Sequence, residues 1–449
     1  MRRSVMLQGF FLRWHLLRRV SANGGLRLCR EVQLNLAYRW FCDLSLEDKI
    51  PHPTTFSKNR SGRFSEHDLF REMFYQIAEQ AIEKGLVRGK HLSTDATLIA
   101  ADAAMSSLEE IVAPLDYKNY LDGISDDENA DKDKDDSESS KFSPKKKPAK
   151  KSINLTHSSK TDPDAQVGSR WGSKKKLSYS DNILMDNENR IILDVAVTTP
   201  SLTEEAISSV NMVKRSLFRY GFSIEDVGGD SAYSRGESVS GFMEAGVKIY
   251  SPAMKNIPEN AKGIFDRKMF IKQEDDYLIC PNGERLNREN SRSKSRRIRY
   301  TSNAKKCSGC PMKEQCTRGA YRVVSHHVDQ EALDWAEDLR QSKEYVISQK
   351  MRKRIEHLFG EAKEQMGLRR AKRRGFKNME EQCLMTAMVQ NIKRIVLVKP
   401  KPGKNVLIST YNNLVFGLEN IIFAFRTFLN SVRNILSKSL IYRELIYGD

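Results

Sequence analysis

From about Leu28 to Lys84 apolar residues recur three and four positions apart, as in Val32, Leu36 and Trp40, and again in Leu69, Phe74, Ile77 and Ile82. That spacing belongs to helices that bury one face. Pro51-His52-Pro53 interrupts the run, Thr54 or Thr55 offers a cap for the helix that follows, and Gly85 and Gly89 end the region. His91–Ala100 then reads as a strand. Lys176–Met185 and Arg190–Thr198, joined by the polar turn Asp186-Asn187-Glu188-Asn189, read as a hairpin. A helix is expected over about 203–220, a strand over Asp226–Asp230, a helix over about 238–245 and a strand over Val247–Ser251. Helical periodicity returns over about 345–366 and 379–396. A hairpin followed by alternating helices and strands argues for an α/β fold, a mixed sheet flanked by helices.

The tract over about 117–160 departs from this pattern. It is acidic from Asp126 to Asp136, basic from Lys145 to Lys151, and poor in apolar residues, so it is expected to be disordered. The organisation is then a helical unit over 1–86, the first part of the α/β unit over 87–252, a cysteine-bearing insertion over 253–344, the second part over 345–400 and a helical tail over 401–449. The first unit fits a plain bundle or a DNA-binding domain equally. In the tail, Leu414, Val415, Leu418, Ile421, Ile422, Phe425 and Phe428 suit a packing or oligomerisation helix better than a membrane-surface one.

Charge changes the picture. The 449 residues carry a formal net charge of +17, which favours polyanionic partners. No apolar run is long enough to span a membrane. Met1–Val20 is arginine-rich, but Arg13, His15, Arg18 and Arg19 break any stretch long enough to direct secretion. Of the seven cysteines, Cys280, Cys307, Cys310 and Cys316 cluster, which suits a reducing compartment and a metal knuckle rather than a disulfide framework.

Three carboxylates stand where acids are not expected. Asp95 lies in a strand interior, where Asp is depleted. Asp230 ends a strand after Gly228-Gly229, which permit close approach of backbone or ligand. In the helix over 345–366, Ile355, Leu358, Ala362 and Met366 form the buried stripe, while Arg352, Glu356 and Lys363 lie on a second stripe about a quarter-turn away. Glu356 therefore borders the core. Three such carboxylates can hold Mg²⁺, and a metal pair roughly 3.5–4 Å apart can activate an oxygen nucleophile.

The residues around these acids resemble the DDE transposases of bacterial insertion sequences. His91-Leu92-Ser93-Thr94-Asp95-Ala96-Thr97 is similar to that family's first-Asp strand, and Gly229-Asp230-Ser231-Ala232-Tyr233-Ser234 to its second-Asp motif. Arg352, Glu356 and Lys363 match the Tyr-x2-Arg-x3-Glu-x6-Lys signature, with Gln349 where the family often has Tyr. His357-Leu358-Phe359-Gly360, Gly367–Gly375, Tyr38-Arg39-Trp40-Phe41, Ile50–Phe56 and Thr161–Ala165 match as well. The resemblance covers about Leu28 to Val396; upstream of Leu28 the chain does not look like the family, which suggests an altered or truncated start.

The resemblance implies an RNase H-like catalytic fold with the cysteine block inserted before the Glu helix. It implies Asp95, Asp230 and Glu356 as catalytic ligands of two Mg²⁺ (or Mn²⁺) ions, cutting element ends and joining 3′-hydroxyls to target DNA. The partners so implied are terminal-repeat and target DNA, bound by a homodimer or higher assembly in the bacterial cytoplasm at the nucleoid, with no membrane. A non-catalytic DNA-binding descendant is the rival reading.

Two further features bear on partners. Arg352, Lys353, Arg354, Lys363, Arg369, Arg370, Lys372, Arg373 and Arg374 concentrate positive charge around the Glu helix, as phosphate binding requires. Cys280, Cys307, Cys310 and Cys316 fit either a structural Zn²⁺, with His326 or His327 as a substitute ligand, or unliganded reduced thiols.

Overall fold

The computed structural model describes residues 16–17, 25–55, 58, 68–111, 152–170, 174–254, 265–289 and 296–398. The helical tail, almost all of Met1–Val20 and most of the charged tract lie outside the described residues.

The main sheet is built on β1 (His91–Ala100) and β5 (Lys176–Asp186), antiparallel along nearly their whole length. The far edge of β5 pairs with β6 (Ile192–Thr198) and, beyond it, with β4 (Gln166–Gly168). On the other side β7 (Asp226–Gly228) and then β8 (Lys248–Tyr250) run parallel to β1. The sheet is therefore mixed, as expected. Within it β5 and β6 form a hairpin closed by a short turn, and β7 and β8 are a parallel pair joined through the helix Gly236–Glu244.

One face is covered by α5 (Leu202–Tyr220) and α6 (Gly236–Glu244), and α9 (Gln330–Leu339) packs on α6 and β8. The other face carries α10 (Lys343–Arg352), α11 (Arg354–Gln365) and α12 (Phe376–Leu397). In α11, Ile355, Leu358 and Ala362 are buried, as is Met366 beyond its end, the stripe read from the sequence. Upstream, α1 (Gly25–Leu34) and α2 (Leu36–Phe41) precede α3 (Leu69–Glu83), which packs on α12 and β6 and shares the main core. Arg71 of α3 ties the layers together, reaching Asp194, Glu380 and the carbonyl of Val195.

Two expectations change. The helix expected over 345–366 is two helices, jointed at Lys353, whose φ of −55° and ψ of −20° are still helical values. Apolar periodicity passes through such a joint unaltered, so the sequence cannot reveal it. The expected disordered tract also ends earlier than 160. Residues 153–156 form α4 (Ile153–Thr156), and β3 (His157–Ser159) pairs with β2 (Leu108–Glu110).

The cysteine block folds as a second sheet of β9 (Ile271–Lys272), β10 (Leu278–Ile279), β11 (Arg285–Arg288), β12 (Arg297–Thr301) and β13 (Val323–His327), each paired with the next in chain order. Among the described residues no helix is long and apolar enough to cross a membrane.

Candidate active site

Ser93 pairs with Gly228 in parallel register, and each strand delivers an aspartate two residues later. Asp95 and Asp230 thus leave neighbouring strands at the same level. Asp230 stands two residues past the end of β7, where its Oδ1 caps a short 3₁₀ turn by accepting from Ala232 N at 2.8 Å. Asp95 accepts from Ala96 N at 2.8 Å. Burial pushes the Asp95 carboxyl up to about 6, and the Asp230 carboxylate adds to the rise; the Ala96 amide, Arg352 and Arg170 oppose it.

The helical layer approaches this pair closely because β7 ends in glycine. A Cβ on Gly228 would stand 2.8 Å from Ser348 Oγ and 3.3 Å from the Ser348 carbonyl; at Gly229 it would meet the Tyr233 ring at 2.9 Å. The close approach read from these glycines is thus one of backbone to helix and ring. Gln349, at the position where Tyr is common in the family, fixes the same junction. Its Nε2 donates to the carbonyls of Gly229 at 3.1 Å and Tyr250 at 2.6 Å. One turn on, Arg352 Nη1 reaches Asp95 Oδ2 at 3.0 Å.

Glu356 is placed differently. It lies on the exposed first turn of α11, just past the joint. Among the described residues no three acidic, histidine or cysteine side chains are gathered at metal-binding spacing. The Asp95–Asp230 pair nevertheless fits a divalent cation, since two oxygen-donor groups sit in partly buried surroundings with Arg352 alone paired directly to Asp95.

The cations expected to bind DNA divide into two groups. Arg352 is turned inward to Asp95, and Lys363 donates to Thr97 Oγ1 at 2.6 Å, two residues along the same strand face. Arg354 holds the Asn187 carbonyl at 2.9 Å, and Lys353 is exposed at the joint. Arg369, Arg370, Lys372, Arg373 and Arg374 line the segment between α11 and α12, which docks against the end of β1 through bonds between Ala100 and the backbones of Arg369 and Ala371. Of these, Arg369, Arg370, Lys372 and Arg374 are exposed, although Arg369 also pairs with Glu364, Arg370 with Asp102, and Arg373 with Glu381. At 3.3 Å per residue, this basic rim begins roughly 16 Å along β1 from Asp95. The Thr161–Ala165 stretch clamps its far end: Asp162 Oδ1 accepts from Gly375 N at 3.1 Å, and Asp164 Oδ2 caps Phe376 N at 3.0 Å.

Several polar residues of the site are not singled out by the sequence. Asp181 pairs with Thr97 across the strands, so it shares the face of Asp95. Burial pushes its carboxyl up to about 7, against a Cys383 hydrogen bond and the Lys363 charge. Glu205 of α5 accepts from Ser180 Oγ at 2.6 Å and pairs with Arg170 at 3.4 Å. Tyr233 is fully buried, which raises its phenol well above its ordinary range; Asp95, Asp230 and Glu205 add to the push. The available signals were an acid inside a strand for Asp181 and an acid beside the buried stripe of a helix for Glu205.

Family comparisons bear on this geometry. The family described as transposase DDE domain matches residues 279–396, taking in the four clustered cysteines, the Glu356 helix and the basic rim. The family described as transposase domain (DUF772) matches residues 10–62. Together the two matches support an insertion-sequence DDE transposase. We found no match to it among curated proteins. The N-terminal match corrects one expectation, because the chain resembles a transposase family from residue 10, well upstream of Leu28. The aperiodic, basic composition there had hidden the likeness. Leu16 and Leu17, within that stretch, are buried in the main core. Asp95 and Asp230 lie between the two matched segments.

Proposed function

We propose that this transposase cuts DNA strands at the ends of its element and joins the freed 3′-hydroxyls to target DNA, with Asp95, Asp230 and Glu356 as its catalytic carboxylates. The observation that carries this reading is the Asp95–Asp230 pair, set at one level on adjacent parallel strands and faced by Arg352 of the Glu-helix layer. The sheet order, with β7 and β8 parallel to β1 and β5 antiparallel, supports an RNase H-like architecture.

Asp95 and Asp230 would hold Mg²⁺ or Mn²⁺, with Glu356 completing a second site. Bound there, the ions supply a polarised oxygen nucleophile and counter-charge for the leaving oxygen. The chain's own residues do the rest. Arg352 steadies Asp95 and favours its ionised form. Lys363 braces β1 through Thr97. The basic rim holds the phosphate backbone by charge, independent of sequence. Two ends per element call for two copies of the chain on DNA.

The test is strand cleavage of DNA carrying the element ends, in Mg²⁺ or Mn²⁺ against EDTA, beside Glu356→Gln. Metal-dependent cutting that the variant loses supports the mechanism, and joining of 3′ ends to a second DNA separates a transposase from a plain nuclease. The exposed setting of Glu356, apart from the aspartate pair, favours the rival reading of a DNA-binding descendant without catalysis. Salt-sensitive binding to those ends with no cutting in either metal would establish the rival and overturn the catalytic proposal.

A further inference from the structure

The second sheet has a small core of its own. Apart from the main core it buries Phe270, Leu278, Leu286, Tyr300 and Val324, with Cys280 and Cys316 packed partly against them. So few apolar side chains rarely stabilise a unit of this kind without a disulfide or a metal. No disulfide serves here, because all four cysteines of the block are free thiols, each half-buried.

Those thiols converge from separate parts of the block. Cys280 ends β10 (Leu278–Ile279) at a tight turn closed by Gly283 at φ +80°, and its Sγ accepts from Glu284 N at 3.3 Å. Cys307 belongs to α7 (Ala304–Ser308), with Cys310 in the turn that follows. Cys316 ends α8 (Lys313–Cys316). All four line one cleft of about 30 Å³ floored by Leu286. Lys306, Lys313 and Arg322 line it too, and such cations favour thiolates over thiols. Arg322 is held in place by the carbonyls of Cys316 at 2.9 Å and Phe265 at 3.0 Å.

We propose that this cleft is a structural zinc site ligated by Cys280, Cys307, Cys310 and Cys316. Four thiolates around a small volume suit a tetrahedral, thiophilic ion that performs no chemistry of its own. The histidines considered from the sequence are not ligands: His326 packs edge-on against Tyr300 at 5.5 Å, and His327 faces Asp329. In this structure no three of the thiols stand at ligand spacing, although all four line the same cleft. An ion there joins the β10 turn to both short helices, and so stabilises the block next to the Glu helix. The proposal is independent of the catalytic reading.

Full-length protein, purified without added metal, is assayed for bound elements. One zinc per chain is expected in the wild type and in Asp95→Asn, with near-complete loss in Cys310→Ser. Metal-stripped wild-type protein is then titrated with Co²⁺, which should give the visible bands of a tetrahedral thiolate site. Cys280, Cys307, Cys310 and Cys316 should gain resistance to iodoacetamide when Zn²⁺ is added, as read by mass spectrometry. The wild-type titration decides the matter even if Cys310→Ser fails to fold. Absence of cobalt bands, equal alkylation with and without Zn²⁺, full zinc in Cys310→Ser, or iron in place of zinc would each overturn the assignment.

Discussion

Arg352 sets Nη1 3.0 Å from Oδ2 of Asp95, although the two stand 257 positions apart in the chain. Both side chains are largely buried, at 17 % and 16 % exposure, so the interaction is little screened by solvent. The arginine lowers the proton affinity of an aspartate that burial and Asp230 raise. In the proposed mechanism that carboxylate acts in its ionised form, so cleavage should rise with pH through about 6. Arg352→Gln should move this limb to higher pH by about one unit, with partial return in Arg352→Lys. A pH–rate profile that does not move would remove Arg352 from the role.

Asp95→Asn, Asp230→Asn and Glu356→Gln should each lower strand cleavage by about 10³-fold or more, the scale set by losing metal-borne charge stabilisation of several kcal/mol. Duplex binding should be retained, as a gel-shift titration will show. Any variant that still cuts at the wild-type rate is not a catalytic carboxylate.

Asp181 makes stability depend on pH. Its carboxyl is raised from 3.8 to about 7 in the folded state, so the stabilisation is fully present below about 3.8 and is lost as pH rises through about 7. The loss should be on the order of a few kcal/mol, given 1.36 kcal/mol per unit. Asp181→Asn should flatten the slope between those limits. Denaturant midpoints of both proteins across that range measure it, and equal slopes would refute the assignment.

Gly228→Ala tests the helix–strand approach. The added methyl meets Ser348 Oγ at 2.8 Å, which can move, and the Ser348 carbonyl at 3.3 Å, which cannot without shifting α10. The expected cost is about 1–3 kcal/mol, together with weakened cleavage as Arg352 withdraws from Asp95. Unchanged melting temperature and activity would show that the layer has slack there.

The rim predicts a salt signature. Replacing Arg369, Arg370 and Arg374 with Gln should weaken binding to all DNA sequences alike. The slope of log affinity against log salt should become shallower by about one for each phosphate that is no longer neutralised. A selective loss at element ends alone would mean that these residues read sequence rather than backbone.

Much of the molecule followed from local pattern. Strand β1, the β5–β6 hairpin and the buried stripe of α11 come from periodicities that backbone geometry imposes on any half-buried element. The aspartates stood out because strands seldom carry charge, and Glu356 because it borders the buried stripe of its helix. The joint at Lys353 was not legible, since a small change in helical dihedrals leaves apolar spacing intact. Nor was the inward turn of Arg352 and Lys363 onto β1, since their stripe on the helix pointed to phosphates or to Glu356 instead. Which cation meets which anion depends on the distance between elements, and Gly228 and Gln349 set that distance through packing against residues far along the chain. Asp181 is the clearest case: its placement beside Thr97 is a matter of strand register, and its raised carboxyl a matter of burial. Both arise only when strands and helices close over one another.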